Sequence, residues 1–322
     1  MKYVAIAGII IAVAGIIVAL GVSDDSVTKI GISTWGTSYE YDQNIQGFQD
    51  AIKSELEEDE IKFIIKNPNA DKLAQLAIMN NFDDQNVDLV YTLTTPGTKI
   101  AQEIFKDKPI IFSLVTFPVE ANIVDSMESS KNNIVGTSNY IDIEEQIKEI
   151  VKHSDVKNLA FVHRAHELNS LIQLSLFEKY AERYQINIIN ISASDLEEIE
   201  KSVNYVIDNL DGIYLACDTL IQTGGHEVVI NIATEHKKPV FSCVKEGMHL
   251  GAVFGLISDS YSLGYESGLK AVRVLNGEEP SDIPSSFPLT HKVMVNKDAA
   301  EFLGMEFVDD HSHWIYGGVL ER

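Results

Sequence analysis

The sequence predicts an α/β protein built from two doubly wound lobes with a ligand cleft between them. Three observations carry this expectation. The chain has 322 residues, more than one hydrophobic core usually organises. Short β-branched runs alternate with helical patterns, the signature of βαβ units and a parallel sheet. The same strand, helix, strand succession then recurs at matching intervals in both halves.

The chain opens on Lys2 and an almost uninterrupted apolar run at 3–22 (YVAIAGIIIAVAGIIVALGV), closed by Ser23, Asp24 and Asp25. About 20 such residues span roughly 30 Å of hydrocarbon. With the positive charge on the N-terminal flank, Lys2 stays inside and the rest lies outside. The expectation is an uncleaved membrane anchor over 1–26 with an extracytoplasmic soluble part. A cleaved signal peptide ending near Ala19-Leu20-Gly21 is the competing reading.

In order, the first lobe reads KIGIST, a helix at 42–58 with Ile45, Phe48, Ile52 and Leu56 on one face, IKFIIKN, a helix at 71–81, VDLVYTLT, a further helix and PIIFSLV. The second reads NLAFVHR, a long helix at 168–184, INIINIS, a helix at 196–207, GIYLAC, a helix at 221–235 and PVFSCV. NIVGTSNYID, AVFGLISDSYSLG and SFPLTHKVMVN fall where the chain would cross between lobes. The division is therefore 27–138 plus 260–288 for the first lobe, 139–259 plus 289–309 for the second, and 310–322 as a C-terminal tail.

A net charge of −23 argues against nucleic acid as a partner, because a polyanion would be repelled rather than gain from counterion release. No G-x-G-x-x-G follows a strand, and no phosphate loop, nucleophile elbow or H-E-x-x-H motif is present. Gly224-Gly225 beside His226 could cradle an anion but reads better as a turn. His311 and His313, after Asp309 and Asp310, read as solvated tail rather than metal ligands. No cofactor and no metal are expected. Cys217 and Cys243 each end a strand and are expected as buried thiols, although the compartment would allow one bridge.

Open α/β sheets bind ligands at the C-terminal ends of their strands, and those ends supply the candidates. Trp35, with Tyr39 and Tyr41 nearby, offers aromatic walls. Thr94 and Thr95 precede a helix, where they can cap it or hold a carboxylate. Thr116 and Phe117 follow the next strand. His163 and Arg164 place cations at a strand end, with Asn169 and Ser170 just after. Asp218 suits a ligand amine or a helix cap, and Thr219, Glu246 and Asp259 complete the set.

TTPGTKIAQ, KPIIFSLVTFPV, NIVGTSNYIDIEEQI, LDGIYLACDTL, KPVFSCVKEG, SYSLGYESGLKAVRVLNGEEPSDIP and KVMVNKDAAEFLGM together resemble the ABC-transporter substrate-binding proteins related to the tryptophan-binding TrpX group, over nearly the whole soluble part. The resemblance implies a type I periplasmic-binding-protein architecture: two Rossmann-like lobes, three crossovers and no catalytic centre. It implies ligand contacts from Thr94, Thr95, Thr116, Asn169, Ser170, Asp218 and Asp259. The chain departs from its relatives at Phe117, where they carry Asp, at Ser242-Cys243, where they carry Gly-Asp, and in the His163–His166 loop.

The expected function is a monomeric, membrane-anchored receptor that captures an amino-acid-like solute between its lobes, closes on it and presents it to an ABC permease. A ligand-sensing ectodomain signalling to a partner chain is the alternative, and a two-lobed hydrolase or transferase a third.

Overall fold

The computed structural model describes residues 27–288, 292–307 and 313–315. The apolar run at 3–22, His311 and most of the expected tail lie outside them. Among the described residues no helix is long and apolar enough to cross a membrane.

The first sheet is formed by β1 (Thr28–Ser33), β2 (Ile61–Lys66), β3 (Leu89–Leu93), β4 (Ile110–Ser113) and β5 (Ile134–Gly136). It has the order β2-β1-β3-β4-β5, with every pairing parallel. Helices α1 (Tyr39–Glu55), α2 (Lys72–Asp84) and α3 (Thr95–Ile104) connect these strands. Apolar clusters cover both faces, one around Trp35, Phe48 and Tyr91, the other around Phe82, Phe105 and Phe112, as a parallel sheet requires.

The second sheet repeats this winding. α4 (Ile143–His153) leads into β6 (Asn158–Arg164), α5 (Leu168–Ala181), β7 (Asn187–Ala193), α6 (Leu196–Val206), β8 (Gly212–Leu215), α7 (His226–Glu235), β9 (Val240–Ser242), α8 (Lys245–Leu250) and β10 (Phe254–Ile257). These strands run β10-β9-β8-β6-β7, the order of the first sheet again. β11 (Lys292–Asn296) adds antiparallel to β10. After α10 (Lys297–Leu303), β12 (His313–Ile315) pairs with β11 in parallel, so this part of the expected tail is an edge strand.

The chain returns to the first sheet through α9 (Ser260–Leu275), which packs along α1. That contact is close enough to demand glycine: a Cβ on Gly264 would sit 1.8 Å from the Asn44 carbonyl oxygen, and one on Gly47 2.1 Å from that of Tyr261. The segments after β5 and after α9 lie side by side, with Ser138 N–H donating to Ser286 O (2.8 Å) and Ser286 N–H to Gly136 O (3.1 Å). An aromatic chain follows them, Phe117 to Tyr140 (5.8 Å between ring centroids) and Tyr140 to Phe287 (5.6 Å).

Three sequence expectations need correction. The helix expected at 168–184 ends as α5 at Ala181 and tightens into a 3₁₀ turn. The helix expected at 221–235 begins as a wide turn over Ile221–Gly225, with Gly224 at φ 131°. Its Cβ position faces Leu196 at 3.0 Å, so the glycine pair serves a turn. Cys217 and Cys243 are joined in a disulfide with Cα atoms 5.9 Å apart. The parallel pairing of β8 with β9 brings the residues after both strands within the separation such bridges span.

Candidate functional site

The C-terminal strand ends of the two sheets carry nearly all the polar atoms that the fold buries without a partner. Nine buried side-chain N or O atoms among the described residues have none. Eight of these follow a strand: Trp35 Nε1, Tyr41 OH, Thr95 Oγ1, Asn139 Oδ1, Asn169 Oδ1, Gln222 Oε1, Glu246 Oε2 and Ser258 Oγ. The ninth, Gln146 Nε2, is on α4. Buried polar groups are nearly always paired in a folded protein, so such a concentration makes these strand ends the candidate site.

From the first lobe, β1 ends in Trp35, whose backbone takes φ 66° and whose carbonyl accepts from Ala70 N–H at 2.7 Å. Its ring is 1 % exposed. Thr94, at φ 69°, caps α3 by accepting from Gly97 N–H. Thr95 turns a buried hydroxyl to the site. The two threonines thus divide the work of capping and facing the cleft.

From the second lobe, Arg164 Nη1 donates to Thr219 Oγ1 (3.0 Å), and its Nε lies 3.8 Å from Glu167 Oε2. Glu167 accepts from Thr219 N–H (3.2 Å) and Thr219 Oγ1 (2.5 Å). Burial and the neighbouring Asp218 push its carboxyl up to about 7. Asp218 Oδ2 accepts from Arg164 N–H (2.6 Å) and Ser170 Oγ (3.0 Å), and Oδ1 from Leu220 N–H (3.1 Å) and Ile221 N–H (2.9 Å). Burial raises this carboxyl too, against those donors. Asn169 Nδ2 donates to Cys217 O at 2.9 Å, and its oxygen is buried without a partner.

A cleft of about 540 Å³ separates the lobes, lined by Trp35, Thr95 and Lys99 on one side and by Arg164, Glu167 and Leu168 on the other. A second, small cavity lies among Glu40, Asn139, Gln222, Ser258 and Ser260. The lobes touch directly where Glu246 N–H donates to Glu40 Oε1 at 3.0 Å. The Glu246 carboxylate in turn accepts the N–H of Tyr39, and the Tyr39 ring meets His249 edge-on (6.4 Å). Ser260 Oγ donates to Glu40 Oε2. Burial raises the Glu40 carboxyl, and burial with Glu40 beside it lifts Glu246 to about 7.

Trp35, Thr95 and Arg164 thus line the cleft together, with Thr219 held against Arg164; Asn169 and Glu246 each keep a buried oxygen without a partner, while several other candidates are engaged elsewhere. Asp218 and Ser170 are committed to each other and to backbone amides. His163 spends both ring nitrogens within its lobe, on Arg164 O and Asn190 Oδ1 (2.9 Å each). The Thr116 backbone carbonyl accepts from Ser138 Oγ, and Phe117 belongs to the crossover aromatic chain. Asp259 is exposed and caps α9 through Ser262 N–H and Oγ (2.8 and 2.7 Å).

Sequence reasoning named Tyr41 only as a neighbouring aromatic and omitted Glu40, Asn139, Glu167, Gln222 and Ser258. Their signal was position: Asn139 and Ser258 lie in the segments predicted to cross between lobes, and Tyr41 and Glu40 open the first helix.

Residues 29–312 match the family described as ABC transporter substrate binding protein. A tyrosine-binding protein from Clostridioides difficile is 30% identical over 282 residues, covering 86% of this chain and 81% of its own. Among solved structures, an ABC domain from Streptococcus pneumonia in complex with L-Trp superposes with a TM-score of 0.85 at 25% identity, over 90% of this chain and 99% of that one. The ligand-free, open structure of a substrate-binding protein with adhesive properties from Clostridium difficile gives 0.70, also at 25% identity, over 90% and 100%.

Proposed function

Because the chain belongs to the ABC-transporter substrate-binding protein family, and is therefore a binding protein rather than an enzyme, we propose that it captures an amino-acid-like solute between its lobes and delivers it to an ABC permease. The eight unpartnered polar atoms at the strand ends carry this reading. They come from both lobes and from two of the crossovers, so a ligand that satisfies them holds the lobes together, and closure is a population shift paid for by ligand contacts.

The better superposition on the L-Trp complex than on the ligand-free, open structure, at equal identity, supports a closed arrangement here. The relatives' ligands make L-tyrosine and L-tryptophan the first solutes to try. Trp35 forms a wall, Thr95 and Arg164 hold a carboxylate, and the acceptors Asn169 and Glu246 face an amine. The apolar run at 3–22 anchors the protein, with the lobes outside the membrane.

The full chain in detergent micelles should gain thermal stability with at least one common L-amino acid. A thermal-shift screen of all of them in which none stabilises the chain would refute the proposal.

A further inference from the structure

Two helices of opposite lobes meet at their N-termini. α1 follows β1 of the first sheet, and α8 follows β9 of the second. Helix starts leave backbone N–H groups without intrahelical partners and carry the positive end of the dipole, so bringing two of them together is unfavourable unless acceptors stand between. α8 has none of its own, because Val244 occupies its capping position. A glutamate from each helix serves the other instead. Glu40 Oε1 accepts from Glu246 N–H at 3.0 Å, and the Glu246 carboxylate accepts from Tyr39 N–H. Ser260 Oγ, at the start of the helix that packs along α1, donates to Glu40 Oε2. The Glu40 side chain, 3 % exposed, is thus held in position from its own side.

The contact continues on either flank. The Tyr39 ring meets His249 edge-on, and Lys245 Nζ stands 6.0 Å from its centroid. The segment before α1 approaches the wide turn ahead of α7, where a Cβ on Gly36 would sit 3.1 Å from Thr223 Cγ2. Separating the lobes would break every one of these contacts.

We propose that the reciprocal cap between α1 and α8 is a latch that populates the closed arrangement before a solute arrives, so that part of the affinity is set by Glu40, which holds the lobes rather than the solute. This goes beyond the functional reading above, since it concerns the ligand-free chain. A hydrogen bond from a helix-start amide to a carboxylate is among the stronger ones a protein makes. A binding protein whose competent state is already populated also loses less apparent affinity to closure.

The test is double electron–electron resonance on the ligand-free full chain in detergent micelles, with spin labels at Asp84→Cys on α2 and Tyr205→Cys on α6, exposed positions of opposite lobes. Cys217 and Cys243 are paired with each other and take no label. With the latch intact, the separation seen in the structure should dominate. Glu40→Ala should shift the closed-to-open ratio by about 10-fold or more towards a second, distinct separation, and should weaken L-tyrosine by about 2- to 10-fold as the closed fraction falls. Glu40→Gln keeps an oxygen for Glu246 N–H and a donor for Ser260 Oγ, and should stay closed. Tyr39→Pro removes the donor to Glu246 at the first position of α1, where proline is tolerated, after an extended Ser38. It should open the chain further than Tyr39→Ala, which loses the same ring and keeps the N–H. If Glu40→Ala does not fold, Tyr39→Pro against Tyr39→Ala decides. An unmutated chain that is already mostly open, or latch variants that remain at the closed separation, would overturn the proposal. The distances need no solute, so this outcome is independent of whether the chain binds an amino acid.

Discussion

Thr95 and Asp218 show how differently two strand-end residues can serve one site. The Thr95 hydroxyl has no protein partner, so Thr95→Val should leave the thermal midpoint unchanged and weaken ligand binding by about 1 kcal/mol, the net worth of a neutral hydrogen bond. Titration calorimetry beside a melting curve checks both halves, and a lowered midpoint would show that the hydroxyl serves the fold instead. Asp218→Ala should do the reverse. It strands Arg164 N–H, Ser170 Oγ and two amides at the start of the next helical turn, and should cost about 2–4 kcal/mol of stability with binding lost as a consequence. Denaturant unfolding tests this, and an unchanged midpoint would mean that the carboxylate is free for ligand. In the sequence both are polar residues after apolar strands; what separates them is whether a neighbouring segment supplies donors, which depends on α5 and β6 meeting β8 in space.

At the level of elements, the strands and their succession were legible because each is a β-branched run ended by a polar turn, and burial on both faces leaves little alternative. Helix starts were less so. The turn at Ile221–Gly225 reads as helix in periodicity, and it widens where the backbone leaves helical values at Thr223 and Gly224, the latter at φ 131°. The pairing of Cys217 with Cys243 was equally out of reach, because it depends on the register of β8 beside β9. That bridge ties the segment bearing Asp218 and Thr219 to the one bearing Glu246. Closing a loop of 26 residues is worth about 3 kcal/mol on the chain-entropy account. The Cys217→Ser, Cys243→Ser double variant should therefore melt several degrees lower and bind its solute more weakly, since the two segments then move independently. If affinity survives the loss of the bridge, the site is positioned by the sheet alone.

For the whole molecule, the two lobes are one winding used twice, β2-β1-β3-β4-β5 and β7-β6-β8-β9-β10, set so that residues of both line one cleft. The cost of that arrangement is carboxylates buried between the lobes, and they contribute a pH dependence of definite sign, opposed in part by His226, which burial lowers to about 3. Glu40 is raised by burial, and Glu167 and Glu246 are pushed up to about 7, first by burial and then by Asp218 and Glu40 respectively. Unfolded, each titrates near 4.5. Between those values these carboxyls bind more protons in the folded chain than in the unfolded one, so their contribution to stability is greatest on the acid side of the window and is lost as pH rises through about 7. Glu246 is only half-buried, and solvent screens its share. The ligand-free chain should therefore melt a few degrees lower at about pH 8 than at about pH 5.5. If a ligand ammonium is held by the ionised form of Glu246, as proposed, the stabilisation by an amino acid should be larger at the higher pH. Scanning calorimetry at both pH values, with and without ligand, tests the two statements together. A ligand-free midpoint that rises between them, or a ligand shift larger in acid, would show that these carboxylates do not govern closure.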